Sequence, residues 1–510
     1  MKDMEDKGCK EYLKATPEGV FCGDKKILLR GMGLGNWFLP EGYMWLFYNK
    51  CDRPRRIEAL VERLCGKEYA KQFWKEFAER YVTEEDIHRM AGWGINSVRL
   101  PLNARTLFVR SESGVAFKEE VIARVDACLL WCKKYGIYLI LDMHGTFGGQ
   151  TGTNIDDSEH DEPELFQKPE YQEILINCWR LLAERYKGES AIGGYDLMNE
   201  PLPEAKREYW PGVMPLYRRL IQAIREIDRE HMIILEGVNW ASNFSIFDEM
   251  SKEEASDNIL LQFHKYWNHP DADSLLPFRE TAKRLEVPLW MGEGGENNLD
   301  WYTTAFPMYE REGIGWCFWS YKKMETDNSP FSIRKPQKWD KILKIIDSKE
   351  EIGKEETGKE EISKEEAREI FEEYLTCVTE AGMNESVINA LLRKAPGSIP
   401  AIAFDAEWIE SEREAGVSFR ERDKACILFA DGHKGAPDWK RYGGEQQPES
   451  EQMLVRLRKG DCLGYHMEGY RRVEVEQSGD GRVVIREEED GLVWVCCVEG
   501  EVNLTRILFE

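Results

Sequence analysis

The sequence predicts a (β/α)₈ barrel followed by a small C-terminal antiparallel β-sandwich. Three observations carry this reading. Short apolar, β-branched runs alternate with longer amphipathic stretches eight times between residues 20 and 350. The runs are near-continuously apolar, as expected of parallel strands covered on both faces. Six of the eight end in polar or ionisable residues, as the strands around an active-site mouth do at their C-termini.

The first four strands are read in ILLRGMGLG from Ile27, NSVRLPL from Asn96, IYLILDMH from Ile137 and GGYDLMNE from Gly193. The next four are HMIILEG from His231, ILLQFH from Ile259, PLWMGE from Pro288 and GWCFWSY from Gly315. Among the intervening segments, KEEVIARVDACLLWCKKYG from Lys118 places Val121, Val125, Cys128, Leu129 and Cys132 on one helical face. KPQKWDKILKIID supplies a last barrel helix, so the first domain is read as 1–347. SKEEI, GKEET, GKEEI and SKEEA then repeat, and 348–367 reads as a charged, solvated linker. The remainder, 368–510, opens as a helical connector with Ile370, Phe371, Tyr374, Leu375 and Val378 at helical spacing. From about Ala401, six short β runs separated by Gly and Asp predict the accessory sandwich.

Composition excludes several functions. The 510 residues carry 69 Lys plus Arg against 94 Asp plus Glu, a net charge of −25. That balance lacks the basic face of a nucleic-acid binder, so no nucleic-acid partner is expected. Seventeen Trp and 11 % aromatic residues do not belong to a disordered chain. No basic start leads into an apolar core, and no apolar run approaches the roughly 20 residues of a membrane span. The expectation is a cytoplasmic protein without membrane association. Thirteen cysteines at irregular spacing match neither a zinc ribbon nor a redox CxxC, which predicts reduced, mostly buried thiols.

Two carboxylates carry the chemistry. Glu200 closes the fourth run and precedes Pro201; Glu293 closes the seventh and precedes Gly294 and Gly295. On a closed eight-stranded barrel these ends face each other across the mouth. Opposed carboxyls are the working parts of glycoside hydrolysis. Asn199, His264, Tyr266 and Trp319 flank them. Glu296 and Glu204 lie just beyond the pair, Glu236 and Asp196 are candidate supports, and Asp142 sits one layer beneath His144. Eight histidines, none as HxH or HxxxH, argue against a metal-dependent hydrolase. Only Lys265 and Lys322 lie near strand ends for a Schiff base. GMGLG lacks dinucleotide spacing and no GxxxxGK[ST] occurs, so no metal or cofactor is implied.

RGMGLGNW, NSVRLPL, LILDMHG, YDLMNEP, FHKY, WMGEGG and GWCFWSYK follow one another in this order over about residues 20–345. In these motifs the chain resembles glycoside hydrolase family 5. The resemblance implies Glu200 as general acid/base and Glu293 as nucleophile of a retaining double displacement. It implies Arg99 and Tyr266 as stabilisers of Glu293, and Asn199 as the partner of the sugar 2-OH. His144, His264, Trp319 and Trp37 would bind substrate. The implied activity is hydrolysis of β-linked oligo- or polysaccharides of glucan or mannan type. A glycolipid-cleaving β-glycosidase and a catalytically silent carbohydrate-binding protein are the alternatives.

Other segments admit two readings. The loop after the third strand, HGTFGGQTGTNIDDSEHDEPELF, lacks the Pro-Gly common in the family. Its acidic half is either a solvated loop or a rim that hydrogen-bonds a terminal sugar. Tyr43, Trp45 and Phe47 either wall a subsite or belong to the core, as do Trp210, Trp240 and Trp267. In the C-terminal domain, Trp439, Tyr442, Tyr465, Tyr470 and Trp494 either pack or form a sugar platform.

Overall fold

A computed structural model describes residues 11–111, 114–347, 362–414, 416–439, 445–488 and 491–510. Each of the eight apolar runs supplies one strand of a closed parallel barrel. The strands are β1 (Arg30–Gly33), β2 (Ser97–Asn103), β3 (Tyr138–Gly145) and β4 (Ile192–Asp196). They continue as β5 (Ile233–Glu236), β6 (Ile259–His264), β7 (Leu289–Gly295) and β8 (Gly315–Trp319). They close in chain order, β8 pairing back onto β1. β2, β3 and β7 are buried along their whole length, which is why their sequences do not alternate.

The strand boundaries move the site residues. β4 ends at Asp196, so Glu200 lies beyond the strand in the following turn, whereas Glu293 lies inside β7. The helix Glu119–Tyr135 buries Ile122, Val125, Cys128, Leu129 and Cys132, with Ile122 taking the position expected of Val121. It stops at Gly136, whose φ of 71° is the left-handed conformation that glycine adopts without strain.

An N-terminal hairpin of Leu13–Thr16 and Gly19–Cys22 closes the bottom of the barrel. Leu13 and Val20 pack there with Tyr138, Ile140, Met232, Ile234, Leu260 and Trp290. On the outside, Trp45 is fully buried among Phe73, Phe77, Trp339 and Tyr374, with ring centroids 4.5–6.3 Å apart. Phe47 stacks on Trp339 at 5.2 Å. These two aromatics are core residues, held between barrel and helices by apolar burial. Tyr374 comes from the helix Lys364–Thr379, which starts inside the last repeat of the charged segment, capped by the Ser363 hydroxyl. The repeats over 348–361 lie outside the described residues.

The acidic loop is solvated only in part, with Glu159 and Asp161 exposed. Asp156 and Asp157 are buried. Asp156 accepts hydrogen bonds from the backbone of Thr151, Gly152 and Ser158 and so closes its own loop. Asp157 accepts from the Arg55 backbone, from Asn103 and from the Arg105 guanidinium, tying the loop to β2 and to the helix Pro54–Cys65.

The chain divides into two compact units. The first comprises residues 1–264, 278–294 and 314–383; the second comprises 265–277, 295–313 and 384–510. The second unit is built on two antiparallel sheets. One contains β9 (Gly397–Pro400), β11 (Cys426–Phe429), β12 (Met453–Arg458), β14 (Val473–Gly479) and β17 (Glu501–Phe509). The other has the order β10 (Ala406–Trp408), β13 (Cys462–Tyr465), β16 (Val493–Glu499), β15 (Arg482–Glu487). β12 and β17 alternate buried and half-buried residues, with Val455, Leu457, Val502, Leu504 and Ile507 in the core.

The expectation of reduced thiols throughout is corrected at one place. Cys462 and Cys496 are direct register partners on β13 and β16, and they form a disulfide. Ten other described cysteines are free. No helix among the described residues is long and apolar enough to cross a membrane.

Candidate active site

The C-terminal ends of the barrel strands bring seven ionisable side chains around one cation. Arg99, in the middle of β2, is fully buried. Its Nε donates to Asp196 at 2.9 Å and its Nη1 to Glu293 at 2.6 Å. Its Nη2 donates to Asn199 at 2.8 Å and to Glu236 at 2.9 Å, and lies 3.1 Å from Asp142. Burial alone would push the guanidinium down. The four carboxylates outweigh it and hold Arg99 well above its ordinary range.

The carboxylates respond unequally. Burial pushes Asp142 up to about 7 and Asp196 up to about 6, against the pull of Arg99. Burial and the neighbouring Asp196 raise Glu236 well above the carboxylate range. Burial also raises Glu293, but His264 and Arg99 pull it back towards the ionised form. Protons therefore collect on the deeper carboxyls beneath the mouth.

Glu200 and Glu293 meet at the mouth with His264 between them. One donor atom of each residue lies within 4.8 Å of the others. His264 Nδ1 is 2.6 Å from Glu200 Oε1 and 3.9 Å from Glu293 Oε1. Glu200 has φ 44°, a left-handed conformation that an L-residue adopts at a cost, and its N–H donates to Glu236 Oε2 at 2.7 Å. That bond fixes a turn that local sequence does not favour.

Two histidines have defined tautomers. His144 Nδ1 lies 2.7 Å from Asp142, and its Nε2 lies 3.2 Å from the Asn199 amide nitrogen. The carboxylate accepts and the amide donates, so the ring proton is on Nδ1. Gln262 does the same for His264. Its Nε2 is 2.9 Å from His264 Nε2 and 2.7 Å from Glu236 Oε1. Burial pushes His144 down to about 4 and His264 down to about 3, so both rings are neutral near neutrality.

Trp319 closes β8 and lies parallel to His144, with centroids 5.4 Å apart. Its indole N–H donates to the Tyr43 hydroxyl at 2.9 Å, so Tyr43 of EGYMWLF reaches this ring. A Cβ at Gly33 would come 2.6 Å from Trp319 Cε3, and one at Gly35 would come 2.8 Å from Cη2. Gly33 and Gly35 of GMGLG thus clear the space for an indole. Gly292 plays the same part for Gln262, whose Cδ would lie 2.1 Å from a Cβ there.

The other site candidates have partners of their own. Trp37 is buried against Phe38, and its indole N–H donates to the Ala78 carbonyl at 2.8 Å. Trp210 is likewise buried, donating to the Leu202 carbonyl. Tyr266 belongs to the 265–277 segment of the second unit, where its carbonyl accepts from Asn297 at 2.9 Å. Glu296 is also in the second unit, its carbonyl accepting from the Trp267 indole. Glu204 is exposed on the turn that follows β4. Gln262 and Gln150 were not singled out from sequence. Gln150 donates to the carbonyls of His144 and Asn199 and so joins the turns after β3 and β4. ILLQFH did carry a signal, since a Gln two residues before His264 shares its face of the strand.

Two triads have metal-like spacing, Glu200–His264–Glu293 and Asp142–Asp196–Glu236. In the second, Arg99 already supplies the compensating cation to all three carboxylates. In the first, the Glu200 oxygen is engaged by His264 and Glu293 by Arg99. Neither donor set is laid out around a vacant centre. The arrangement instead presents two carboxyls of different character. One is paired with a guanidinium and the other with a neutral imidazole.

Comparison with known proteins identifies a family and several relatives. The family model described as cellulase (glycosyl hydrolase family 5) matches residues 65–325. A β-xylosidase of Phanerodontia chrysosporium is 26 % identical over 344 residues, covering 61 % of this chain and 71 % of that protein. Endoglucanase C of Acetivibrio thermocellus is 27 % identical over 317 residues, covering 50 % of this chain and 88 % of that one. A crystal structure of an endogalactoceramidase superposes with a TM-score of 0.50 at 15 % identity, over 97 % of this chain and 99 % of the other, a likeness of fold.

Proposed function

The chain belongs to glycosyl hydrolase family 5 and is a glycoside hydrolase, and from that premise we propose that it cleaves β-glycosides with retention, using Glu293 as nucleophile and Glu200 as acid/base. The observation that carries the mechanism is the closeness of the two carboxyls, with oxygens within 4.8 Å. Direct attack by a carboxylate needs carboxyl groups about 5–5.5 Å apart, whereas an interposed water needs about 6.5–9.5 Å.

The roles follow from the partners. Glu293 is ion-paired with Arg99 at 2.6 Å, which favours the carboxylate that attacks the anomeric carbon. Glu200 delivers a proton to the glycosidic oxygen as that bond breaks, leaving a glycosyl ester on Glu293. Glu200 then takes a proton from water as the water attacks the ester's anomeric carbon, and Glu293 leaves as carboxylate. The neutral His264 donates from Nδ1 to Glu200 Oε1, which orients the Glu200 carboxyl. Asn199, held by Arg99 and His144, serves the sugar 2-OH in this reading. The paired rings of Trp319 and His144 offer a flat face to a pyranose.

For substrate, a β-linked glucosyl or xylosyl unit fits best. The named relatives include endoglucanase C, β-xylosidase and cellodextrinase A. The test is a panel of aryl β-glucoside, β-xyloside and β-mannoside, cellotetraose and a β-glucosylated lipid, with Glu293→Gln alongside. Cleavage with the β-anomer formed first, and at least about 10³-fold loss in the variant, is the expected result. An α-anomer as first product, or undiminished activity in the variant, overturns the assignment.

A further inference from the structure

The second unit presents an aromatic cleft that no catalytic step uses. In the sheet β10–β13–β16–β15, Trp408, Cys462, Cys496 and Val484 are register partners in one row across four strands. Two residues along each strand, Ala406, Gly464, Trp494 and Arg486 form the next row. Side chains two apart on a strand share a face. The residues between these rows, Leu463 and Val495, are fully buried, so the two tryptophans stand on the outer face.

That face is shaped for a ligand. Trp408 is 64 % exposed, the highest value among the large apolar side chains described. Trp494 lies over Gly464, where a Cβ would come 3.2 Å from indole Cε2. Gly464 thus lets the second indole lie flat against the sheet. A cleft of about 520 Å³ is lined by both tryptophans, the Cys462–Cys496 disulfide, Lys459, Arg486 and Glu488. Neither cation has an ion-pair partner among the described residues, and the Trp494 indole nitrogen finds no acceptor among them. Of the five aromatics expected to form a platform, Trp494 stands in this cleft and the other described ones do not. Trp439 and Tyr465 are buried and Tyr470 packs on Phe509; Tyr442 lies outside the described residues.

We infer that this outer face of the second unit is a glycan-binding site, in which Trp408 and Trp494 take sugar rings against their indoles and Lys459 and Arg486 donate to ring hydroxyls. Indole faces suit the apolar C–H face of a pyranose, while cationic donors beside them suit its hydroxyl rim. A lipid surface is disfavoured, because the aromatics stand in a cleft and the chain carries a net charge of −25. The two tryptophans are two strands apart, roughly 10 Å, which is longer than one ring and asks for at least a disaccharide. The site is independent of the proposed mechanism, since all its residues belong to the second unit.

Affinity gel electrophoresis tests it, with hydroxyethylcellulose, mixed-linkage β-glucan, laminarin, xylan, glucomannan and galactomannan as probes. The full chain carrying Glu293→Gln is used so that the polysaccharide survives. At least one gel retards that protein, and adding Trp408→Ala weakens the apparent affinity about tenfold or more. Trp408→Ala alone leaves aryl-glycoside hydrolysis unchanged, which certifies its fold. Arg486→Ala weakens retardation without touching an indole. No retardation by any probe overturns the proposal. So does retardation indifferent to Trp408→Ala, which places binding at the barrel mouth. Binding to phosphatidylcholine vesicles that needs Trp408, with no glycan retardation, overturns it in favour of a lipid surface.

Discussion

The side-chain nitrogen of Gln262 lies 2.9 Å from Nε2 of His264. The same nitrogen is 2.7 Å from Glu236 Oε1, an oxygen that already accepts from Arg99. The amide must therefore donate in both directions, and the His264 proton is left on Nδ1, facing Glu200. Replacing Gln262 by Leu removes the constraint, and kcat should fall about ten- to hundredfold with KM little changed. Gln262→Glu puts a carboxylate beside Nε2 and favours the imidazolium. The acid limb of its kcat profile should move upward. A merely structural Gln262 would lower stability in both variants and leave the pH profile in place.

Glu200 and Glu293 should fail in different ways under the proposed assignment. Glu200→Ala removes the proton donor, so activity should survive best on aryl glycosides with very acidic phenols, which leave without help. Azide should restore turnover and yield the β-glycosyl azide, because the anion attacks the glycosyl ester from the face Glu200 vacates. Glu293→Ala with azide should give the α-azide. Identical azide products from the two variants would reverse or remove the assignment.

Gly33→Ala should disturb Trp319 without touching a polar group. The new methyl would stand 2.6 Å from Cε3 of the indole, well inside contact distance. Overpacking of this kind costs about 1–3 kcal/mol, part of which the ring relieves by moving from its place beside His144. KM should rise more than kcat falls, and the melting temperature should drop by a few degrees. Wild-type KM in the variant would show that Trp319 does not contact the sugar.

Much of the fold was legible because buried parallel strands announce themselves as apolar runs, and all eight became barrel strands. The exception in detail is instructive. GGYDLMNE reads as one strand to Glu200, yet the regular strand ends at Asp196. The left-handed turn at Glu200 is held by Glu236, a contact that no local pattern announces. The acidic loop misled for a similar reason. Its composition looks solvated, but Asp157 is buried by Arg55, Asn103 and Arg105, partners far away in the chain. Trp45 and Trp408 show the limits of reading aromatics singly. One is in the core and the other on an open sheet face, and only strand register and helix packing separate them.

The buried ionisable groups make opposed contributions to stability against pH, and a single substitution should expose them. His144 and His264 titrate in the unfolded chain near 6.5 but are held down to about 4 and about 3 in the fold. Their contribution is present above about pH 6.5 and is lost as pH falls towards those folded values. Asp142 runs the other way. Burial pushes it up to about 7, so the fold holds a proton that the unfolded chain releases near 3.9. Its contribution is full below about pH 3.9 and is lost as pH rises through about 7. Between pH 7 and 5 the histidine loss and the aspartate gain offset each other. Asp142→Asn keeps an acceptor for His144 Nδ1 but removes the gain. Urea unfolding should then show the variant losing stability on acidification more steeply than the wild type, by up to roughly 1.4 kcal/mol per pH unit. Parallel curves for the two proteins from pH 7 to 5 would mean that Asp142 is ionised in the fold throughout that range.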